Sequence, residues 1–224
     1  RLGSEEFRSE LVGLRHMTDA AAAFLAGYLS DQREAAGALP HRHNLVVEHF
    51  RDPANLSDAR QTVLHTLWGG EINRPFVLAL AAAWEERFGY QLETFVNNDC
   101  IMLNLPHDAS ADEILSLVAP EDIPRLLRAK LESTGYFGAR FRENAQRSLL
   151  LPRRSFKERM PFWMNRLRSK KLLDAVSRFE DFPVLLETWR TCMNHEFDIG
   201  NLRRLMEELR NGDIKVTEAV TSAP

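Results

Sequence analysis

Strand-type and helical signals occupy different parts of this chain, and that separation restricts its fold more than any other feature. Runs of β-branched and apolar residues fall at 45–50, 62–67, 91–96 and 100–105. From Ser110 to Asn211 no such run recurs, and apolar residues repeat at the three- and four-residue spacing of amphipathic helices. Strands first and helices later is the pattern of an α+β domain.

Residues 16–36 read as a helix with Met17, Ala20, Ala21, Phe24, Leu25, Tyr28 and Leu29 on its apolar face, Thr18 or Asp19 as cap, and Gly37 with Pro40 at its end. The runs 45–50 and 62–67 form an antiparallel pair. Trp68, Gly69 and Gly70 then turn into a helix capped by Asn73, with Pro75 in the first turn and Val77, Leu80, Ala81, Trp84 and Phe88 as its stripe. The runs 91–96 and 100–105 make a hairpin across Asn97, Asn98 and Asp99, residues that tolerate left-handed backbone. A four-stranded antiparallel sheet is the result. Helical patterns follow at 111–118, 121–132, 136–150, 159–167, 170–178, 184–195 and 199–210. The expected organisation is a sheet-bearing α/β half over 1–108 and a helical half over 109–224, meeting near the turn 106–110.

Several chemistries can be set aside. Neither a G-x-x-x-x-G-K-[ST] loop nor a D-E-x-H box occurs, so the chain has no motif with which to cradle a nucleotide, and no enzyme activity is expected of it alone. There is no G-x-S-x-G elbow, and Glu85, Glu86, Glu93 and Asp99 read as an exposed helix face and a turn. His41, His43, His49, His65 and Cys100 lie loosely together without a complete set of metal-ligand spacings, so hydrogen-bonded or exposed histidines are expected. The Trp68-Gly69-Gly70 turn could receive an anion, although a plain tight connection accounts for it. Cys100 and Cys192 have no C-x-x-C partner, which suits a reducing compartment. No apolar run approaches the roughly 18 residues of a membrane span, and no leader pattern precedes the first helix. A cytoplasmic protein without membrane contact is expected. The start at Arg1 instead of Met suggests a piece of a longer protein.

The net charge of −3 conceals a sharp segregation. Residues 136–171 hold 11 Lys/Arg against Glu143 and Glu158, a net of +9, whereas residues 1–120 carry −8. Within the basic block, Phe137, Phe141, Ala145 and Leu149 recur every four residues as a core stripe, and Arg140, Asn144 and Arg147 share another face. Pro152 stops the helix. Arg153, Arg154, Lys157 and Arg159 follow in a loop, with Phe156, Phe162 and Trp163 among the charges. Cations interleaved with aromatic faces suit a single strand, held by phosphate contact and base stacking. Trp163 fits a core position of the next helix more readily than a stacking platform. The seven candidate contacts are therefore Arg140, Asn144, Arg147, Arg153, Arg154, Lys157 and Arg159. The alternative is a surface that docks an acidic neighbouring domain.

The segment F-G-A-R-F-R-E-N-A-Q-R-S-L-L-L-P-R-R at 137–154 closely resembles the signature of Lhr-type (large helicase-related) superfamily 2 helicases, within their DEAD/DEAH-associated domain. Further resemblances are Leu45-Val46-Val47-Glu48, H-T-L-W-G-G-E-I-N-R-P at 65–75, R-L-R-S-K-K-L-L at 166–173, F-P-V-L-L-E-T-W-R at 182–190 and F-D-I-G-N-L-R-R-L at 197–205. They run in order from about 17 to 214. The resemblance implies one accessory domain of an ATP-dependent 3′ to 5′ helicase, following two RecA-like motor domains and a winged helix and helping to form the ring around the tracking strand. It implies single-stranded DNA or an RNA:DNA hybrid as partner, with the RecA-like and winged-helix domains of the same polypeptide. ATP and Mg would serve the full-length protein, with no cofactor in this piece. The competing expectation is a structural interdomain docking module of that helicase without nucleic-acid contact.

Overall fold

The computed structural model describes residues 4–50, 60–151, 161–179 and 181–221. The chain forms two compact units, interleaved in sequence: residues 1–69, 92–116 and 208–224 make the first, and residues 70–91 and 117–207 the second. The α+β class is as expected.

The first unit is built on a five-stranded sheet in the order β3-β4-β2-β1-β5. Its strands are β1 (Asn44–Phe50), β2 (Arg60–His65), β3 (Glu93–Val96), β4 (Ile101–Leu105) and β5 (Lys215–Thr221). The four expected strands pair antiparallel, with Val46 opposite His65 and Val63 opposite Met102. A fifth, β5, lies past the helical stretch and runs parallel to β1, Asn44 opposite Lys215 and Phe50 opposite Thr221. Flanked on both edges, β1 is buried along its whole length. Its two polar side chains inside the run must then find partners within the protein. Glu48 accepts from Gln32 Nε2 at 3.0 Å and lies 3.3 Å from His65 Nε2. His49 sits between Thr62 Oγ1 at 2.9 Å and Glu218 Oε2 at 3.0 Å.

The β3–β4 hairpin closes differently from the expected left-handed turn. None of Asn97, Asn98 and Asp99 has positive φ. Instead the Asn97 side chain accepts from the backbone N–H of Asp99 at 2.8 Å and of Cys100 at 2.7 Å, an Asx turn. Before the sheet come α1 (Glu5–Arg15) and α2 (Asp19–Ala36), the latter capped by Thr18, whose hydroxyl accepts from Ala21 N, and ended by Gly37 at φ 71°. The apolar face expected on α2 is not the packed one. Ala22 and Ala26 are buried, while Phe24 and Tyr28 on the opposite side are exposed. The short α4 (Ala111–Ser116) also belongs to this unit.

The second unit is helical: α3 (Gly70–Phe88), α5 (Ile123–Leu131), α6 (Gly135–Arg147), α7 (Phe162–Val176), α8 (Pro183–Thr191) continued by a π turn (Cys192–Glu196), and most of α9 (Ile199–Asn211). Helix α3 starts at Gly70, so Asn73 is not its cap but a buried residue of its first turns. Pro75 lies inside the helix and has no N–H to offer the Glu71 carbonyl four residues earlier. The backbone N–H of Asp198 takes that carbonyl at 3.0 Å, while the Asp198 carboxylate caps α9 through Asn201 N. The I-N-R-P and F-D-I-G-N segments, far apart in sequence, are joined by this bond. Helix α7 is continuous where two helices were expected. The core of the unit gathers Leu131, Phe137, Phe141, Ala145, Val184, Leu185, Cys192 and Phe197. Among the described residues no helix is long and apolar enough to cross a membrane.

Candidate nucleic-acid interface

Helix α6 carries the middle of the basic block. Thr134 caps it by accepting from Phe137 N at 3.1 Å, and Phe137, Phe141 and Ala145 are completely buried on its inner face. The fourth expected member of that stripe is outside. The helix ends at Arg147, Leu149 takes φ 59° and is 75% exposed, and Leu151 folds back to be buried, its N–H reaching the Ala145 carbonyl at 3.3 Å.

The candidate contacts on α6 do not share one environment. Arg140 is partly buried and committed within the protein: its guanidinium lies 2.9 Å from Glu143 Oε2, 2.8 Å from Glu196 Oε1 and 5.6 Å from the centre of the Tyr136 ring. Asn144 is buried and donates to Thr188 Oγ1 at 3.2 Å and Thr191 Oγ1 at 3.4 Å on α8. Its amide N–H donors therefore tie α6 to α8. Two helical turns separate it from Phe137, which places it on the same line of the helix. Arg147 is exposed, with Glu143 Oε1 at 2.6 Å. Arg153, Arg154, Lys157 and Arg159 lie outside the described residues.

What the expected face missed is the groove on the adjoining side of α6, which shares Arg147 with it. An open groove of about 600 Å³ runs between α6 and α7, with Arg142, Glu143, Gln146 and Arg147 on one side and Phe162, Asn165 and Arg166 on the other, and its single carboxylate, Glu143, is paired with Arg147 and Arg140. Phe162 is 71% exposed and Trp163 63%, so Trp163 is a surface residue and not the core position expected. Only Ser169 and Val176 of α7 are buried, which leaves Arg166, Arg168, Lys170 and Lys171 at the surface. Among the described residues none of these four, nor Arg142, forms an ion pair, whereas Arg140 and Arg147 are both held by Glu143. The helices thus present five cations that form no ion pair among the described residues, beside two exposed aromatic rings. Such a surface attracts a polyanion and offers faces on which flat rings can stack. The sequence carries a signal for it, since Arg142 and Gln146 recur at i and i+4, as do Phe162 and Arg166.

A family model described as DEAD/H associated matches residues 39–224, most of the chain. The chain belongs to the DEAD/H-associated family. Its relatives include the Lhr helicase/uracil glycosylase of Escherichia coli K12, 34% identical over 204 residues, which cover 90% of this chain and 13% of that protein. The ATP-dependent helicase Lhr-Core of Methanothermobacter thermautotrophicus is 27% identical over 221 residues, 98% of this chain and 25% of that one. A solved structure, Mycobacterium smegmatis helicase Lhr bound to ssDNA and AMP-PNP, superimposes with a TM-score of 0.89 at 30% identity, over 100% of this chain and 28% of that chain. This DEAD/H-associated chain thus spans a small part of the length of the Lhr helicases it resembles.

Proposed function

We propose that this chain is the accessory nucleic-acid-binding domain of an ATP-dependent 3′ to 5′ helicase acting on DNA or an RNA:DNA hybrid. ATP and magnesium are handled by RecA-like domains elsewhere in the polypeptide, and this chain contributes contact with the strand. The observation that carries the reading is the set of five cations along α6 and α7 with no ion pair among the described residues, beside Phe162 and Trp163. Arg147 extends the set, and Arg153, Arg154, Lys157 and Arg159 follow it directly in sequence. Arg140 and Asn144 leave the list, because Arg140 is paired with Glu143 and Glu196 and Asn144 is buried against Thr188 and Thr191. The likeness to a helicase solved with ssDNA also supports this reading.

Each cation that meets a phosphate releases counterions, so the test is a salt titration of single-strand binding by anisotropy. The chain should bind weakly, in the range of about 10⁻⁴ to 10⁻⁶ M at physiological salt, with little sequence preference. Replacing Arg142, Arg166, Arg168 and Lys170 by Ala should lower the slope of log K against log salt by roughly 0.7 for each phosphate that no longer meets a cation. An unchanged slope would transfer the basic face to the docking alternative.

A further inference from the structure

A second groove lies within the helical unit, apart from the basic one. It has a volume of about 600 Å³ and is lined by α5, α8 and the π turn. Its floor carries four apolar side chains and the Glu132 carboxylate: Leu185 is buried, Leu186 is 51% exposed, and Trp189 and Met193 are half-buried. Trp189 is held rigid, its ring 5.3 Å from that of Phe137 and its indole N–H donating to Glu132 Oε1 at 2.7 Å. Two exposed guanidinium groups border the floor. Arg128 forms no ion pair among the described residues, and Arg190 has Glu187 at 3.9 Å, the outer limit of such a contact.

We infer that this groove docks an amphipathic polypeptide helix whose apolar stripe is flanked by carboxylates. A cleft between two helices, with four apolar side chains in its floor and a rigid aromatic anchor, is the geometry that receives a third helix. The charge of its rim decides which kind of helix: two arginines with spare donors select acidic flanks. The Glu132 carboxylate in the floor argues against a nucleic-acid strand. A phosphodiester chain carries a negative charge at every nucleotide and could not avoid it, whereas a peptide places its carboxylates singly and can set a neutral residue opposite Glu132.

The test uses two synthetic amphipathic helices with the same leucine stripe, one flanked by glutamates and one by lysines, and reads their anisotropy with the 224-residue chain. The glutamate peptide should bind and the lysine peptide should not. The double variant Arg128→Glu, Arg190→Glu should weaken the glutamate peptide by at least about tenfold and gain binding of the lysine peptide, a reversal that only direct charge contact produces. Leu186→Asp, at an exposed position, should abolish binding of the glutamate peptide, with circular dichroism showing that helix content is retained. Absence of binding to the wild-type chain, or equal binding to the double variant, would overturn the inference. Displacement of the peptide by a single-stranded oligonucleotide would overturn it as well, in favour of a strand in this groove. Charge removal at Arg142 and Arg166 should leave peptide binding intact, so this inference and the proposed function fail independently.

Discussion

Asn144 separates a binding role from a structural one, because its surroundings accept a hydrogen-bond donor and nothing else. The Thr188 hydroxyl donates to the Val184 carbonyl at 2.7 Å and the Thr191 hydroxyl to the Glu187 carbonyl at 2.8 Å. Each hydroxyl has then spent its single hydrogen and turns lone pairs toward the Asn144 amide, which donates to both. Asn144→Ala removes one good and one long hydrogen bond and leaves a small void, a loss of about 2 kcal/mol. For a chain of this size that lowers Tm by roughly 4–8 °C. Asn144→Asp should be worse, about 3–5 kcal/mol, since a buried carboxylate would face two oxygens with no hydrogen to give. Its folded-state pKa would be raised above the unfolded value of about 3.9, so the penalty is present at neutral pH and is relieved as pH falls and the acid regains an O–H donor. Thermal melts followed by circular dichroism and tryptophan fluorescence at pH 7 and pH 5 provide the measurement, with the gap to wild type narrowing at the lower pH for Asp and not for Ala. A structural role for Asn144 is refuted if Asn144→Asp melts with wild type, or if Asn144→Ala keeps full stability while losing strand binding.

Other substitutions probe the same helices and the chemistry around them. Phe141→Ala, at a completely buried site, should cost about 3–5 kcal/mol in chemical denaturation, and Arg142→Ala on the neighbouring groove well under 1 kcal/mol; equal losses would mean that the helical phase is misassigned. Burial, reinforced by the Glu196 carboxylate, pushes the Cys192 thiol up from 9.0 to about 11, so in the folded chain iodoacetamide should modify Cys100 first and Cys192 only on unfolding. Because the folded-state pKa is the higher one, that stabilisation is complete below about pH 9 and lost between about pH 9 and 11. Leu149→Gly should raise stability by about 1 kcal/mol in a urea titration, since Leu149 holds a left-handed φ of 59° with its side chain in solvent.

Periodicity locates most elements because a packed face must repeat with the helix or strand. It finds Phe137, Phe141 and Ala145 for that reason, and it fails at Leu149 because spacing says nothing of where the hydrogen-bond ladder stops. On α2 two faces compete, and spacing cannot say that the alanines, small enough for close approach, are the ones buried while Phe24 and Tyr28 are left out. Polarity alone suggests solvent for Asn144, although its two-turn distance from Phe137 places it inward. The role of Pro75 is out of reach of sequence reading, since the carbonyl it frees is satisfied by Asp198, a residue more than a hundred positions away. The same distance hides β5, whose short alternating run gains meaning only beside β1. For the candidate interface, charge counting finds the basic block, but which cations are already spent on Glu143 and Glu196 is a property of the folded helices.

The pairing of Asn44 with Lys215 also sets an order of events during synthesis. Every residue of the helical unit precedes Glu208, so that unit is complete while the sheet still lacks its last strand. Until residues 215–221 leave the ribosome, one edge of the buried strand β1 stays open as a row of unsatisfied backbone groups. A chain cut just before Lys215 would keep all its helices and expose a sticky strand, and its fate would be decided by aggregation more than by lowered stability of the fold.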